Sequence, residues 1–380
     1  MEDGLSTDPI ANKKQEVKPC VVFADRNVLV DILENDAKNE EAWKSLGDAL
    51  AIAVFGRTDT RSQVLTPNNA DTMIVSGRPH TAIDCYIKAL EISPIMSDVW
   101  ARLSVVIPSG DGDAVTISGC RYTNRQCLAK AVELGPLNGD LWLSLALASI
   151  GRMTAPINGR SYTARECIVK CLEILPSNAE AWKSLYVMLM ADEVDAAHVT
   201  HISGRDYAPH ECLLTAIETN PCVAEYWSML GDISSETSYA VHGDKFTDVE
   251  CFVKALAIDP SYFDAWESLG TVLPEGETVV VNGRTYTDLG CYLKALDLDP
   301  RSHSIWSSLG DVIPEGETVV FNGVTYTDID CYVKALSIKP SHGAAWEGLG
   351  NALPEGETVR VNRCTYTGEE CLAKSLEGED

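Results

Sequence analysis

A chain of 380 residues with 45% hydrophobic and 23% charged residues has a globular composition, which excludes collagen-like, mucin-like and wholly disordered classes. Its 56 Asp and Glu against 30 Lys and Arg leave a net charge of −26, the wrong sign for a binder of nucleic-acid phosphates or of an anionic membrane surface. No stretch approaches the roughly 18 uninterrupted apolar residues that a membrane span requires.

The chain opens on the polar, acidic Met1-Glu2-Asp3-Gly4, unlike a secretory signal, and residues 1–16 read as a disordered segment. There is no Asn-x-Ser/Thr sequon, and the 13 cysteines are an odd number placed by a repeat rather than by pairs. These features predict a reduced, intracellular protein, cytoplasmic by default. Residues 17–40 hold a lone amphipathic helix, between Phe23 and Asn39, that aligns with one helix of the later repeats and reads as an N-terminal half repeat.

From residue 41 to 380 the sequence repeats. All eight tryptophans (Trp43, Trp100, Trp142, Trp182, Trp227, Trp266, Trp306 and Trp346) take one place in the pattern, at spacings of 57, 42, 40, 45, 39, 40 and 40. A period of this size marks an array of stacked supersecondary units. Repeats start near residues 41, 98, 140, 180, 225, 264, 304 and 344. The long first spacing comes from extra residues around 55–71, rich in Thr, Asn, Asp and Arg, which read as a surface loop.

The repeat of Trp266 shows the three pieces of each unit. Trp266, Leu269 and Val272 lie at helical spacing, and Pro274 with Gly276 ends that helix. Val279-Val280-Val281, Asn282-Gly283 and Arg284-Thr285-Tyr286 then predict a β-hairpin, because Asn-Gly supplies the positive φ at both central positions of a type I′ turn. Equivalent turns stand at Ser76-Gly77, Ser118-Gly119, Asn158-Gly159, Ser203-Gly204, His242-Gly243 and Asn322-Gly323, whereas Asn362-Arg363 is a poorer one. A second helix follows, capped by Thr287, with Cys291, Tyr292, Ala295, Leu296 and Leu298 on one stripe and Pro300 after its end. Capping boxes are legible at Thr81/Asp84, Thr123/Gln126, Thr163/Glu166, Thr247/Glu250 and Thr367/Glu370. The ring before each cap (His80, Tyr122, Tyr162, Tyr207, Phe246, Tyr286, Tyr326, Tyr366) reads as a plug packing the hairpin onto the helices.

Trp-x-x-Leu-Gly followed by Tyr-x-x-Ala-Leu and a closing Pro resembles the tetratricopeptide repeat, carried here by Trp266, Leu269, Gly270, Tyr292, Ala295 and Pro300 and again by Trp306, Leu309, Gly310, Tyr332, Ala335 and Pro340. The resemblance covers roughly residues 41–377 and is degenerate where Ser104, Ala146 and Tyr186 replace the glycine. It implies a mainly α fold: a right-handed α-solenoid of about eight helix–hairpin–helix repeats, each lengthened by a short two-stranded β-hairpin. It also implies a concave groove lined by the first helices.

On that groove the residue two before each Trp includes Asp98, Asp140, Glu180, Glu225 and Asp264, and the residue five after it is apolar at Val105, Leu147 and Val187. Ala101 and Leu143 directly follow Trp100 and Trp142. An apolar floor with an acidic rim suits a basic, amphipathic or extended peptide, although carboxylates also favour the first turn of any helix. Some family members clamp acidic chaperone tails with groove Lys and Asn; Lys44/Asp48, Ala101/Val105 and Leu143/Leu147 stand here instead, so that activity is not expected.

No catalytic or phosphate-binding constellation is found. The aligned cysteines (Cys85, Cys127, Cys167, Cys212, Cys251, Cys291, Cys331, Cys371) read as small buried hydrophobes, and His198, His201 and His210 lack the spacing of a metal site. The expectation is a non-enzymatic protein-interaction scaffold without cofactor or metal. The alternatives are a structural component of a larger assembly, with self-association through a C-terminal repeat that no further helix covers, and a thiol- or metal-binding protein or enzyme.

Overall fold

The computed structural model describes residues 25–55, 72–108, 113–154, 156–191, 199–233, 239–274, 276–314 and 316–377. The segment 1–16, nearly all of the loop at 55–71, and His198 lie outside the described residues. The chain forms two compact bodies, one through Ile174 and one from Leu175.

The N-terminal body runs α1 (Arg26–Asn35), α2 (Glu40–Phe55), β1 (Met73–Val75), β2 (Arg78–His80), α3 (Ala82–Ile92), α4 (Ser97–Val106), β3 (Val115–Ile117), β4 (Cys120–Tyr122), α5 (Asn124–Leu134), α6 (Gly139–Leu147) and α7 (Ala164–Ile174). The C-terminal body continues with α8 (Ala179–Ala191), β5 (Thr200–Ile202), β6 (Arg205–Tyr207), α9 (Pro209–Thr219), α10 (Ala224–Ile233), β7 (Tyr239–Val241), β8 (Asp244–Phe246), α11 (Asp248–Ile258) and α12 (Phe263–Val272). It ends with β9 (Val279–Val281), β10 (Arg284–Tyr286), α13 (Asp288–Leu298), α14 (His303–Val312), β11 (Val319–Phe321), β12 (Val324–Tyr326), α15 (Asp328–Ile338), α16 (Gly343–Ala352), β13 (Thr358–Val361), β14 (Cys364–Thr367) and α17 (Gly368–Glu377). Within each body the helices pack as successive pairs, α2 with α3, α4 with α5, α6 with α7, α8 with α9, and so on to α16 with α17. Each body is thus a tetratricopeptide-like stack with a short antiparallel hairpin inserted in the pairs.

Local chemistry explains the pattern. Each tryptophan is buried and its indole N–H donates to the carbonyl six residues earlier: Trp266 to Pro260 at 2.9 Å, Trp306 to Pro300 at 3.0 Å, Trp346 to Pro340 at 2.8 Å. The ring is therefore anchored to the loop that enters its own helix, which satisfies the one polar atom of a buried indole. The plug rings meet the tryptophans edge-on or, at Tyr207 and Tyr326, tilted, with centroids 4.9 Å apart for Trp266 and Tyr286 and 5.1 Å for Trp43 and His80. Reciprocal capping bonds form as expected, for example Thr247 N to Glu250 Oε2 at 2.9 Å and Glu250 N to Thr247 Oγ1 at 3.3 Å, and Thr327 with Asp330 adds a box the sequence reading omitted.

The hairpins are two-residue turns in register, with Val281 opposite Arg284 and Val279 opposite Tyr286. Positive φ falls on Asn282 (49°) and Gly283 (78°), and the same pair of positions is left-handed at Ser76-Gly77 (49° and 74°), where serine accepts a conformation that costs a non-glycine residue roughly 1 kcal/mol. At Asn362-Arg363 only the asparagine has positive φ (56°), so that turn departs from the type I′ form and yet closes a longer hairpin. In the third repeat the ladder shrinks to the bridge between Ile157 and Arg160, with Thr154 N donating to the Tyr162 carbonyl at 3.0 Å; Pro156, which has no N–H, sits between them. The last residue of each first strand points inward: Val75, Ile117, Val241, Val281 and Val361 are buried, while the middle residues Ile74, Val280 and Val320 are exposed. The tips also lock one repeat to the previous one. Asn282 Nδ2 donates to the Leu256 carbonyl at 3.0 Å, and Asn158 N donates to Glu133 Oε1 at 2.9 Å.

Candidate functional site

The first helices α2, α4, α6, α8, α10, α12, α14 and α16 present the residues singled out as groove-forming. Their polar groups prove to be organised in rungs between neighbours. Lys44, just after Trp43, meets Asp98, two before Trp100, at 2.7 Å and its own Glu41 at 3.0 Å. Arg102 meets Asp48 at 3.0 Å, and the Tyr86 hydroxyl donates to the same carboxylate at 2.8 Å. In the C-terminal body Lys183 lies 3.0 Å from Glu180 and 3.3 Å from Glu225, and the Tyr226 hydroxyl donates to Glu180 at 3.2 Å. Hydrogen bonding to Asp98 raises the Lys44 ammonium; burial raises the Asp98 carboxyl, but Lys44 outweighs it and leaves Asp98 below the usual carboxylate range. Burial likewise works to lower Lys183, and Glu180 with Glu225 outweighs it. Three of the acidic groove positions, Asp98, Glu180 and Glu225, are therefore already paired with lysines of this chain.

Asp264 is different. It stands exposed in the first turn of α12, beside Asp232 of α10 and Glu267 of its own helix. Burial raises the Asp232 and Glu267 carboxyls, and the Asp264 charge raises both further, against hydrogen bonds from Ser268 and Ser304. Burial, and then Asp264, Glu225 and Asp232, push the Tyr262 hydroxyl up to about 12. The face of α10 and α12 is thus a region where negative charge is costly and an incoming cation is favoured. Asp140 is exposed at the start of α6, where its N–H is accepted by the Asn138 side chain at 3.1 Å.

The apolar positions divide. Leu143 is buried and Ala101 half-buried, so they belong to the stack; Val105 (66% exposed), Leu147 (45%) and Val187 (45%) are open. Sequence reasoning missed their companions: Ile150 (61% exposed) and Met153 (52%) follow Leu147, and Met190 (56%) follows Val187. The signal was present, since 147, 150 and 153 are three apart, as are 187 and 190. Large apolar side chains left this exposed are able to take apolar side chains from elsewhere.

The thiols aligned by the repeat are buried in the helix pairs. Burial pushes Cys85, Cys127, Cys167, Cys212, Cys291 and Cys331 up to about 12, and reactivity belongs to the thiolate. Cys120, Cys222 and Cys364 are exposed. A thiol reagent is therefore expected to modify these three in the folded protein and to reach the buried cysteines only on unfolding, as peptide mapping after timed labelling would show. Early labelling of Cys291 would contradict its burial. His201 and His210 have separate partners: His201 pairs with Asp206 at 2.8 Å and His210 lies against Tyr239, with ring centroids 5.5 Å apart. Among the described residues no three His, Cys, Asp or Glu side chains are placed to hold a metal ion, and no helix is long and apolar enough to cross a membrane.

No protein-family model and no curated protein sequence matches this chain. Among solved structures it is similar to yeast Tom70, with a TM-score of 0.41 and 14% identity over 93% of this chain and 57% of that one. It is also similar to YrrB, described as a TPR protein with an unusual peptide-binding site, with a TM-score of 0.29 and 14% identity over 74% of this chain and 96% of that one. The chain spans little more than half of the Tom70 structure. Both likenesses are distant, and the tetratricopeptide-like fold rests on the helix pairs and Trp anchors described above.

Proposed function

We propose that this protein is a non-enzymatic interaction scaffold whose first-helix faces hold a basic, amphipathic segment of a partner protein. The observation that carries this reading is the exposure of the apolar side chains of Val105, Leu147, Ile150 and Met153 on the N-terminal body. Its rim carries Asp140 and the lysine-paired Asp98. On the C-terminal body Val187 and Met190 are open in the same manner, and the Asp232, Asp264 and Glu267 group supplies the negative charge that basic side chains would relieve. Burial of an apolar helix face would supply affinity, and the acidic groups would select basic partners and speed their encounter.

A fluorescent amphipathic Leu/Lys helix, its Leu/Glu counterpart and a scrambled Leu/Lys control test this reading by anisotropy. The Leu/Lys helix is expected to bind, and Val105→Asp with Leu147→Asp to weaken it by about tenfold or more, since two buried apolar contacts are worth roughly 1.5–3 kcal/mol each. Equal binding of all three peptides, or an unchanged affinity in the folded double variant, would remove the face from the account. A second reading, association of copies, is favoured by Leu376 on α17, which is 79% exposed. Light scattering across a concentration series checks it: a rising mass that Leu376→Glu abolishes supports it, and a constant monomer mass excludes it.

A further inference from the structure

Two imidazoles meet where no function has been assigned to them. His303 is the first residue of α14, and His342 is the N-cap of α16, the next first helix in the same body. Their rings lie with centroids 4.6 Å apart at 59°. His303 Nδ1 is buried without a hydrogen-bond partner among the described residues, and so is Ser307 Oγ, one turn further along α14. We propose that the His303–His342 contact is an acid-labile latch: with both rings neutral it holds the start of α14 against the start of α16, and protonation of either ring releases it.

The surroundings oppose a cation from each side. Both rings sit at helix N-termini, whose unpaired N–H groups carry partial positive charge. Lys339, the C-cap residue of α15, faces both histidines, and each histidine faces the other. The opposing charge is Asp311 near the end of α14, which acts on His342 and already accepts the Tyr332 hydroxyl at 2.7 Å. A proton added to His303 Nδ1 would create an N–H in a buried place with no acceptor to receive it. The same electrostatics argue against a metal ion bridging the pair. Burial, the largest cause, lowers both imidazoles below the ordinary histidine value, with Lys339 adding to it.

The sign follows from linkage. A histidine whose folded-state pKa is depressed binds its proton more readily in the opened state. The stabilisation is therefore complete above the ordinary histidine range and is lost as pH falls through it. Acidification acts in the other direction on the raised carboxyls of Asp232 and Glu267, which lie on α10 and α12. The latch is thus read as a local difference between α14–α16 and α12, not as a whole-chain midpoint.

The test uses hydrogen exchange of the full chain, corrected for intrinsic rates, at about pH 7.5 and about pH 5.5. In the wild type, α14 and the start of α16 are expected to lose about tenfold more protection than α12 on acidification. In the double variant His303→Gln/His342→Gln, whose polar side chains cannot charge in this range, that extra loss is expected to vanish. An equal acid-induced loss in wild type and variant overturns the proposal. Should the variant fail to fold, the ring resonances of His303 and His342 in the wild-type chain decide instead. Titration midpoints below the ordinary imidazole value support the latch, and midpoints at or above it overturn it.

Discussion

Trp266→Ala is expected to destabilise the C-terminal body by about 3–5 kcal/mol, the range for truncating a fully packed large aromatic. Trp266 is buried, its indole N–H is bonded to the Pro260 carbonyl at 2.9 Å, and its ring lies edge-on to Tyr286 with centroids 4.9 Å apart. The substitution leaves a cavity between α12 and α13, frees the plug ring and strips a carbonyl of its donor. Because each repeat touches its neighbours through helix pairs and hairpin tips, the damage should be local. Urea unfolding gives the size of the effect and hydrogen exchange its location. Protection should fall in α11 to α13 and in the β9–β10 hairpin, and much less in α16 and α17. An even loss throughout the body would indicate a single cooperative core rather than a stack.

Gly310→Ala should cost about 1–3 kcal/mol although it adds one methyl group, because overpacking a fitted contact forces side chains off their rotamers. A Cβ at Gly310 would stand 2.7 Å from Cε1 of Tyr332. The same closeness recurs at Gly47 with Tyr86, Gly231 with Phe252 and Gly270 with Tyr292, at 2.6, 2.6 and 2.9 Å. Where the glycine gives way to Ser104, Ala146 or Tyr186, the residue after the aligned cysteine is Leu128, Ile168 or Leu213 and no longer aromatic. In these degenerate repeats a residue larger than glycine thus accompanies the loss of the ring. Combining Gly310→Ala with Tyr332→Leu should therefore cost less than the sum of the two single changes, by about 1 kcal/mol or more in a double-mutant cycle. Strict additivity would show that the ring is not the reason for the glycine.

Much of the fold was legible because its determinants are local. The tryptophan period located the repeats, and Asn-Gly or Ser-Gly between β-formers located the hairpins through the turn's demand for positive φ. The reduced ladder of the third repeat was less visible, since the turn pair Asn158-Gly159 is intact and the change lies upstream, by Pro156. The site was legible in part. Positions five after tryptophan were placed on the open face, and Val105, Leu147 and Val187 are exposed there. The pairing of Lys44 with Asp98 and of Lys183 with Glu225 was not legible, because it depends on how one first helix sits against the next. For the same reason Leu143, which shares its helix with Leu147, is buried. His303 and His342 occupy different offsets from their tryptophans, three and four residues before Trp306 and Trp346, so no alignment of repeats places them together.

The central claim is that the open first-helix face is where a partner binds, and a hydrogen-exchange footprint of the bound Leu/Lys helix tests it most directly. The account predicts slowed exchange on α4 and α6 through the turn at Ile150 and Met153, with the hairpins β1–β2 and β3–β4 and the second helices α3 and α5 unchanged. Protection confined to the hairpins or second helices, with α4 and α6 exchanging as in the free protein, would contradict it.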